Sequence, residues 1–288
     1  MRTKSLLATG VALGLITVIS LGCSKSDNKS EASSQLTIKG SDTMVHLGSS
    51  WAEAFMNLHK DVEVSVTGGG SGTGIAALLN GTTNICMASR KIKDKEMKMA
   101  AEKNISPMEF VVARDGIAVV VNPANPLNEA TIDQIGKIYV GQITNWKQLG
   151  GPDQDIVILS RESSSGTYVF FQEHVLKKQD YTPNARLMPA TSSIIQTVEA
   201  DKWAIGYVGL GYALEAGDRV KILAIDDGNG PVLPNNETVK SGEYSISRPL
   251  HLYSNGTPTG LAKEFIDFCM SPQGQQIVQK TGYIKVTD

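Results

Sequence analysis

Histidine, cysteine and aromatic residues are all scarce in this chain, and each scarcity closes off a kind of chemistry. The four histidines, His46, His59, His174 and His251, stand alone. None has the spacing to another histidine or cysteine that a metal site requires, so the sequence implies no metal and no cofactor. Basic residues are not in excess either: 27 Lys and Arg face 29 Asp and Glu, for a net charge of −2. A nucleic-acid partner needs a basic face, and none is written here. A small anion is still admissible, because donors at hydrogen-bond range outweigh a diffuse negative field. There is no Gly-x-Ser-x-Gly elbow, since Ser71 and Ser165 are followed by Gly-Thr. Nor is there a nucleophile beside a base or a metal-holding carboxylate pair, so the chain does not read as an enzyme. A secreted phosphoester hydrolase is the weaker alternative.

Long apolar runs are missing except at the N-terminus. Arg2 and Lys4 precede an apolar stretch from Leu6 to Leu21, the pattern of an export signal over residues 1–22. It stops at Leu21-Gly22-Cys23, which resembles the lipobox of bacterial lipoproteins, although Ser20 stands where an aliphatic residue is usual. That resemblance implies acylation of Cys23 and an extracytoplasmic protein, periplasmic or at the cell surface, held to the membrane by its N-terminal lipid. Residues 23–34 are small and polar, a flexible tether. The two other cysteines, Cys86 and Cys269, sit in apolar runs and are expected to be buried free thiols, although an export route permits a disulfide.

What the chain has in abundance is glycine and small hydroxylated residues, gathered in loops. Four times an apolar strand runs into such a loop and then toward a helix: Gly40-Ser41-Asp42-Thr43, Gly68-Gly69-Gly70-Ser71-Gly72-Thr73-Gly74, Ala88-Ser89-Arg90, and Arg161-Glu162-Ser163-Ser164-Ser165-Gly166-Thr167. A strand–loop–helix unit aims backbone N–H groups and the positive end of the helix at one point, which favours an anion. The glycine loop is not a Walker A loop, because Ile75 stands where lysine is required, and Thr73 breaks the dinucleotide fingerprint. Arg161, followed by Ser165, Gly166 and Thr167, offers a guanidinium fork and helix-start donors suited to a tetrahedral oxyanion. Arg90 reads either as a second cation or as one of a solvated group with Lys91, Lys93 and Lys95.

The apolar periodicity places these loops on an α/β frame. Met44, Leu47, Trp51, Phe55 and Leu58 recur at helical spacing, while Val62, Val64 and Val66 alternate as a strand. Residues 36–114 thus read β-α-β-α-β-α-β, an open parallel sheet whose strand ends share one edge. An apolar strand from Ile117 to Val121 starts a second α/β unit, and residues 227–248 read as an extended surface segment. Ser271-Pro272 is a helix start. If the C-terminal strand near 249–253 returns to the first unit, the chain crosses twice, near Asp115 and Ser247. The division is then lobe I from residues 35–114 and 247–288, and lobe II from 115–246, with a hinge and a cleft between them.

The succession Ile38-Lys39-Gly40-Ser41-Asp42-Thr43, Gly70-Ser71-Gly72-Thr73-Gly74, Ala88-Ser89-Arg90, Asp115 to Pro123, Ile143-Thr144-Asn145-Trp146 and Arg161 to Thr167 resembles the phosphate-binding proteins of bacterial phosphate ABC transporters. The likeness runs over nearly all of residues 35–285. It implies a type II periplasmic-binding-protein fold, a monomer whose two lobes close on inorganic phosphate and deliver it to a permease. It also implies binding by Ser41, Asp42, Thr43, Ser71, Gly72, Thr73, Ser89, Arg90, Arg161, Ser165, Gly166 and Thr167. Many relatives carry an aspartate after the third strand to accept the proton of hydrogen phosphate, where this chain has Ser89-Arg90. Asp42, then Asp115, are the replacements open to it. Sulfate, molybdate or tungstate on the same scaffold is the alternative ligand class.

Overall fold

The computed structural model describes residues 34–287. The signal segment, Cys23 and nearly all of the tether therefore lie outside the described residues. Ser34 is the exception: read as the end of the tether, it already pairs with Val62 in the first strand. Among the described residues, no helix is long and apolar enough to cross a membrane.

The first lobe is assembled as its pattern predicts. Strand β1 (Ser34–Gly40) buries Leu36 and Ile38, and helix α1 (Val45–Leu58) lays Leu47, Trp51 and Phe55 over it. Leu58, at the fraying end of the series, is exposed. Strand β2 (Val62–Thr67), helix α2 (Ser71–Leu79), strand β3 (Ile85–Ala88) and helix α3 (Asp94–Glu102) follow, with Asn80 and Gly81 ending α2 as expected. Strands β1, β2 and β3 are parallel.

The next strand departs from the expectation of an all-parallel sheet. Strand β4 (Pro107–Val121) does not pair with β3 and does not begin at Ile117; it is one continuous strand of 15 residues. Alternation is lost where both faces become buried, which hides the unity of such a strand from a periodicity reading.

The second lobe follows in order: β5 (Glu129–Thr131), α4 (Ile132–Tyr139), β6 (Val157–Arg161), α5 (Gly166–His174), β7 (Arg186–Met188), α6 (Thr191–Ala200), β8 (Ala204–Gly209), α7 (Leu210–Ala216), β9 (Lys221–Ile222), β10 (Ala224–Asp226), β11 (Pro231–Val232) and α8 (Asn236–Ser241). The segment read as extended surface is more ordered than that. Asn235 caps α8 through its side chain, and Tyr244 is buried with its hydroxyl donating to the carbonyl of Ile117 at 2.7 Å. Strand β12 (Ser247–Asn255) then returns to the first lobe, where α9 (Gly260–Met270) and α10 (Pro272–Lys280) complete it. Ser271 caps α10 and Pro272 fills its first turn, as the sequence predicts.

The sheet order β2-β1-β3-β12-β4-β8-β6-β7 explains the architecture. Strand β12 inserts antiparallel between β3 and the first part of β4, whereas Ile117–Val121 of β4 pairs with β8. One apolar core gathers Ile117 to Ile246 of the second lobe, and another gathers Leu36, Trp51, Leu250 and Phe265 of the first. The two crossing strands run side by side, with Ser247 opposite Gly116 and Arg248 opposite Asp115. Cys86 and Cys269 are both free and buried, and burial pushes their thiols above the usual range.

His251 on β12 is buried, with Nδ1 2.9 Å from Oε1 of Glu109 but without the angle of a hydrogen bond. Burial pushes its pKa down to about 4, helped by Lys91 and Arg248 and opposed by Glu109. A base whose folded pKa lies below its unfolded value of about 6.5 leaves the unfolded chain holding the extra proton. Stability contributed at this site is thus present above pH 6.5 and falls as pH drops toward 4, by on the order of 2–3 kcal/mol. Urea denaturation at pH 7 and pH 4.5 will show this loss, and His251→Asn will reduce it.

Candidate functional site

The hydroxyl loops arrive at one place because every one of them follows the carboxyl end of a strand. Ser41 leaves β1 and is fixed by its N–H donating to the carbonyl of Met87 at 2.8 Å. A short 3₁₀ turn, Asp42–Met44, buries Thr43 beneath it. The glycine loop enters α2 through Gly70, whose φ of +102° belongs to the region that glycine alone adopts freely. A Cβ there would stand 2.6 Å from the carbonyl oxygen of Ser164, so the second lobe's loop can approach only a glycine. Ser89 follows β3, and Ser165 ends the loop after β6, where its Oγ accepts the N–H groups of Thr167 and Tyr168 and starts α5.

Ser41, Thr43, Ser71, Ser89, Ser165 and Thr167 are all nearly inaccessible, none more than 2 % exposed. Six buried hydroxyls in one place must satisfy one another or a guest. Ser41 Oγ donates to Ser89 Oγ at 2.9 Å, and Ser71 Oγ accepts the N–H of Ser89 at 3.0 Å. Thr43 and Thr167 share a hydrogen bond of 2.8 Å between lobes. Gly166 stands against the other group: a Cβ on it would fall 2.3 Å from Ser71 Oγ and 2.6 Å from Ser89 Oγ. Gly72 adds an interlobe bond, its N–H donating to the Ser164 carbonyl at 2.9 Å. The loops of the two lobes are therefore in contact around a shared ring of O–H and N–H donors.

Other predicted residues stand elsewhere. Thr73 is exposed, and its hydroxyl closes its own loop by donating to the Gly69 carbonyl at 2.8 Å. Arg90 points its two terminal nitrogens at Glu96, 2.8 Å to each carboxylate oxygen, a fork that also holds Glu96 below the usual carboxylate range. Its charge is answered within the first lobe. Sequence reading had no means of choosing Glu96 over a ligand, since both take the same fork.

Arg161 is buried, but it is a brace. Its guanidinium donates to the carbonyls of Met188 and Pro189 at 3.2 and 3.0 Å and to Thr191 Oγ1 at 2.7 Å, and Nη1 lies 3.3 Å from Oδ2 of Asp42. Behind it Tyr207, stacked on Phe171 at 4.0 Å, donates or accepts at Ser160 Oγ and fixes the end of β6. Asp42 also accepts the N–H of Thr191 at 2.7 Å, so this first-lobe acid is bound to the second lobe twice.

Arg248 was not foreseen. It lies at the second crossover, beside proline in a polar stretch, where an arginine ordinarily reads as solvated. Instead its side chain is 1 % exposed, and Nη2 donates to both Asp115 Oδ2 (3.1 Å) and Thr167 Oγ1 (2.9 Å). Asp115 is fully buried and also accepts the N–H of Leu210 at 3.1 Å. Burial pushes the Asp115 carboxyl above the usual carboxylate range, while Arg248 and the Leu210 amide pull against it. Only the crossing strands bring these two together, from positions 115 and 248.

Two α/β lobes joined by paired crossing strands, with a buried ring of donors where their loops meet, define a two-lobed solute-binding protein. The PBP superfamily domain matches residues 26–273. A Bacillus subtilis protein named phosphate-binding protein PstS is 37% identical over 260 residues, spanning 90% of this chain and 83% of the relative. A Pseudomonas aeruginosa protein of the same name is 32% identical over 302 residues, 99% of this chain and 93% of the relative. A Clostridium perfringens structure described as a phosphate ABC transporter substrate-binding protein with bound phosphate superposes with a TM-score of 0.80 at 35% identity, covering 88% of this chain and 100% of the other. An ABC-type phosphate transport receptor from Vibrio cholerae gives 0.69 at 31% identity, covering 86% of this chain and 99% of that one. The chain belongs to the phosphate-binding protein family of the PBP superfamily.

Proposed function

We propose that this protein captures inorganic phosphate outside the cytoplasm and delivers it to an ABC transporter permease. The observation that carries the reading is the ring of buried hydroxyls contributed by loops of both lobes, Ser41, Thr43, Ser71 and Ser89 on one side and Ser165 and Thr167 on the other. Each hydroxyl can turn from its neighbour to a phosphate oxygen, and the amide of Gly166 adds a donor at the start of α5, whereas that of Gly72 is held by the Ser164 carbonyl. Bonds of this kind to a charged acceptor are each worth about 1.5–3 kcal/mol net. Several of them give micromolar or tighter affinity after ordering costs. The kinship with proteins named for phosphate supports the same assignment.

The lobes are residues 35–114 with 247–288, and 115–246, a reading supported by two apolar cores that follow this division except at Ile284, which packs with the second lobe. Phosphate closes them, and the closed form is what the permease reads. The protein works as a monomer, without catalysis, anchored through an acylated Cys23. Thr73, Arg90 and Arg161 drop from direct contact with the ligand. Asp42 serves closure through Arg161, which leaves Asp115 as the better-placed acceptor for the proton of hydrogen phosphate. Sulfate has no proton to give and would meet a repelling carboxylate.

Titration calorimetry with phosphate, sulfate and molybdate tests this. Phosphate is expected to bind at least a hundredfold more tightly than either competitor, and Asp115→Asn to shrink that ratio. Equal affinity for sulfate and phosphate would defeat the phosphate assignment, and turnover of a chromogenic phosphate ester would defeat the non-enzymatic one.

A further inference from the structure

We propose that Arg248, on the second crossing strand, is a ligand-binding residue that supplies charged N–H donors to the oxyanion from the hinge side of the cleft. The inference rests on the phosphate reading above and adds to it a residue that neither the loops nor the family likeness pointed to. Its basis is an imbalance in hydrogen bonding. Arg248 carries five N–H donors on a guanidinium that is sealed from water. Nη2 is used, toward Asp115 and Thr167. Nε and Nη1 have no acceptor among the described residues. A buried donor without an acceptor is rare in folded proteins and costly when the group is charged.

The position of the guanidinium says what the acceptor is. Through Nη2 it touches Thr167 Oγ1, which in turn bonds Thr43 Oγ1, so Arg248 stands one hydrogen bond from the donor ring. The face of Phe170 lies 5.4 Å away and fills the space on one side without offering an oxygen. The ring hydroxyls bond one another, Ser41 to Ser89 and Thr43 to Thr167, and each can turn its proton to a guest oxygen instead. An anion with several oxygens seated in the ring satisfies both at once. Arg161, the other buried arginine among the described residues, contrasts with it, having spent its donors on Met188, Pro189, Thr191 and Asp42. Half-buried Arg90 has both terminal nitrogens on Glu96 and leaves only Nε without an acceptor, whereas Arg248 leaves Nε and Nη1.

Asp115 acts on this group as a positioning residue. It is the cross-strand neighbour of Arg248 in the pairing of β4 with β12, and its Oδ2 fixes one edge of the guanidinium. The pair is neutral as a unit, so Arg248 contributes directed N–H donors without giving the cleft a net positive charge. That agrees with a chain lacking any excess of basic residues.

Arg248→Lys is the discriminating variant, because an ammonium preserves the ion pair with Asp115 but removes the Nε and Nη1 donors. Calorimetry should show phosphate affinity falling by a factor of a hundred or more, with the melting temperature of the ligand-free protein within a few degrees of wild type. Affinity within threefold of wild type overturns the proposal. Should the variant fail to fold, a crystal structure of the wild-type protein with phosphate decides. An oxygen of the anion within about 3.2 Å of Nε or Nη1 supports the assignment, and its absence from both overturns it. A wild-type protein that binds no phosphate at all would instead remove the reading of function on which this inference rests.

Discussion

Gly166→Ala abolishes tight phosphate binding without harming the fold. The first residue of α5 sits where the two lobes touch, and an added methyl group would lie 2.3 Å from Ser71 Oγ and 2.6 Å from Ser89 Oγ. Real Cβ atoms do not approach so closely, and these hydroxyls belong to short side chains pinned in the opposite lobe. The lobes must part by an ångström or more, which takes the donors of Ser165 and Thr167 away from those of Ser41 and Ser71. Losing two or three charge-assisted bonds at about 1.5–3 kcal/mol each lowers affinity by roughly 10²–10⁶-fold. Within its own lobe the substitution is harmless, since alanine is a better helix former than glycine by about 1 kcal/mol. Calorimetry should therefore show lost binding while the melting temperature of the free protein is equal or higher. Retained affinity would mean that the two loops do not close on the ligand at this point.

Arg161→Ala will lower both affinity and stability, which distinguishes a brace from a ligand. Truncation leaves the carbonyls of Met188 and Pro189 and the hydroxyl of Thr191 without their donor and frees the Asp42 carboxylate. Breaking such a buried set costs about 2–4 kcal/mol. For a domain of this size that is roughly 5–15 °C in melting temperature. Because Asp42 belongs to the first lobe and Arg161 to the second, closure weakens as well, and phosphate affinity should drop by about one to three orders of magnitude. Asp42→Asn separates the two effects. It leaves the Arg161 bonds to backbone in place, so affinity should fall while the ligand-free melting temperature barely moves. If Arg161→Ala loses binding with no change in stability, Arg161 is a direct ligand after all.

Much of this was legible in the residues. The strand–loop–helix units announced themselves through period and loop composition, and the rule that strand ends share an edge was enough to gather Ser41, Ser71 and Ser89. Ser165 and Thr167 were legible as a helix start. The protein acceptors of the two loop arginines, Arg90 and Arg161, were not legible, for a common reason. A guanidinium near hydroxyls reads the same whether its partner is a ligand oxygen, a carboxylate such as Glu96, or a backbone carbonyl such as that of Met188. The segment 227–248 was misjudged because its Gly, Pro and Asn content conceals the two anchors, Tyr244 and Ile246, that tie it to the second core.

The sequence by itself determined the alternation of strands and helices, the burial of both free thiols and the chemistry of the loops, because these depend on neighbours within a few positions along the chain. Only the tertiary structure decided the insertion of β12 between β3 and β4, the commitment of Arg90 and Arg161 to protein acceptors, and the meeting of Asp115 with Arg248. Those outcomes depend on which groups compete for one donor after distant strands have paired. Competition of that kind is settled by distance in space, which local pattern does not encode.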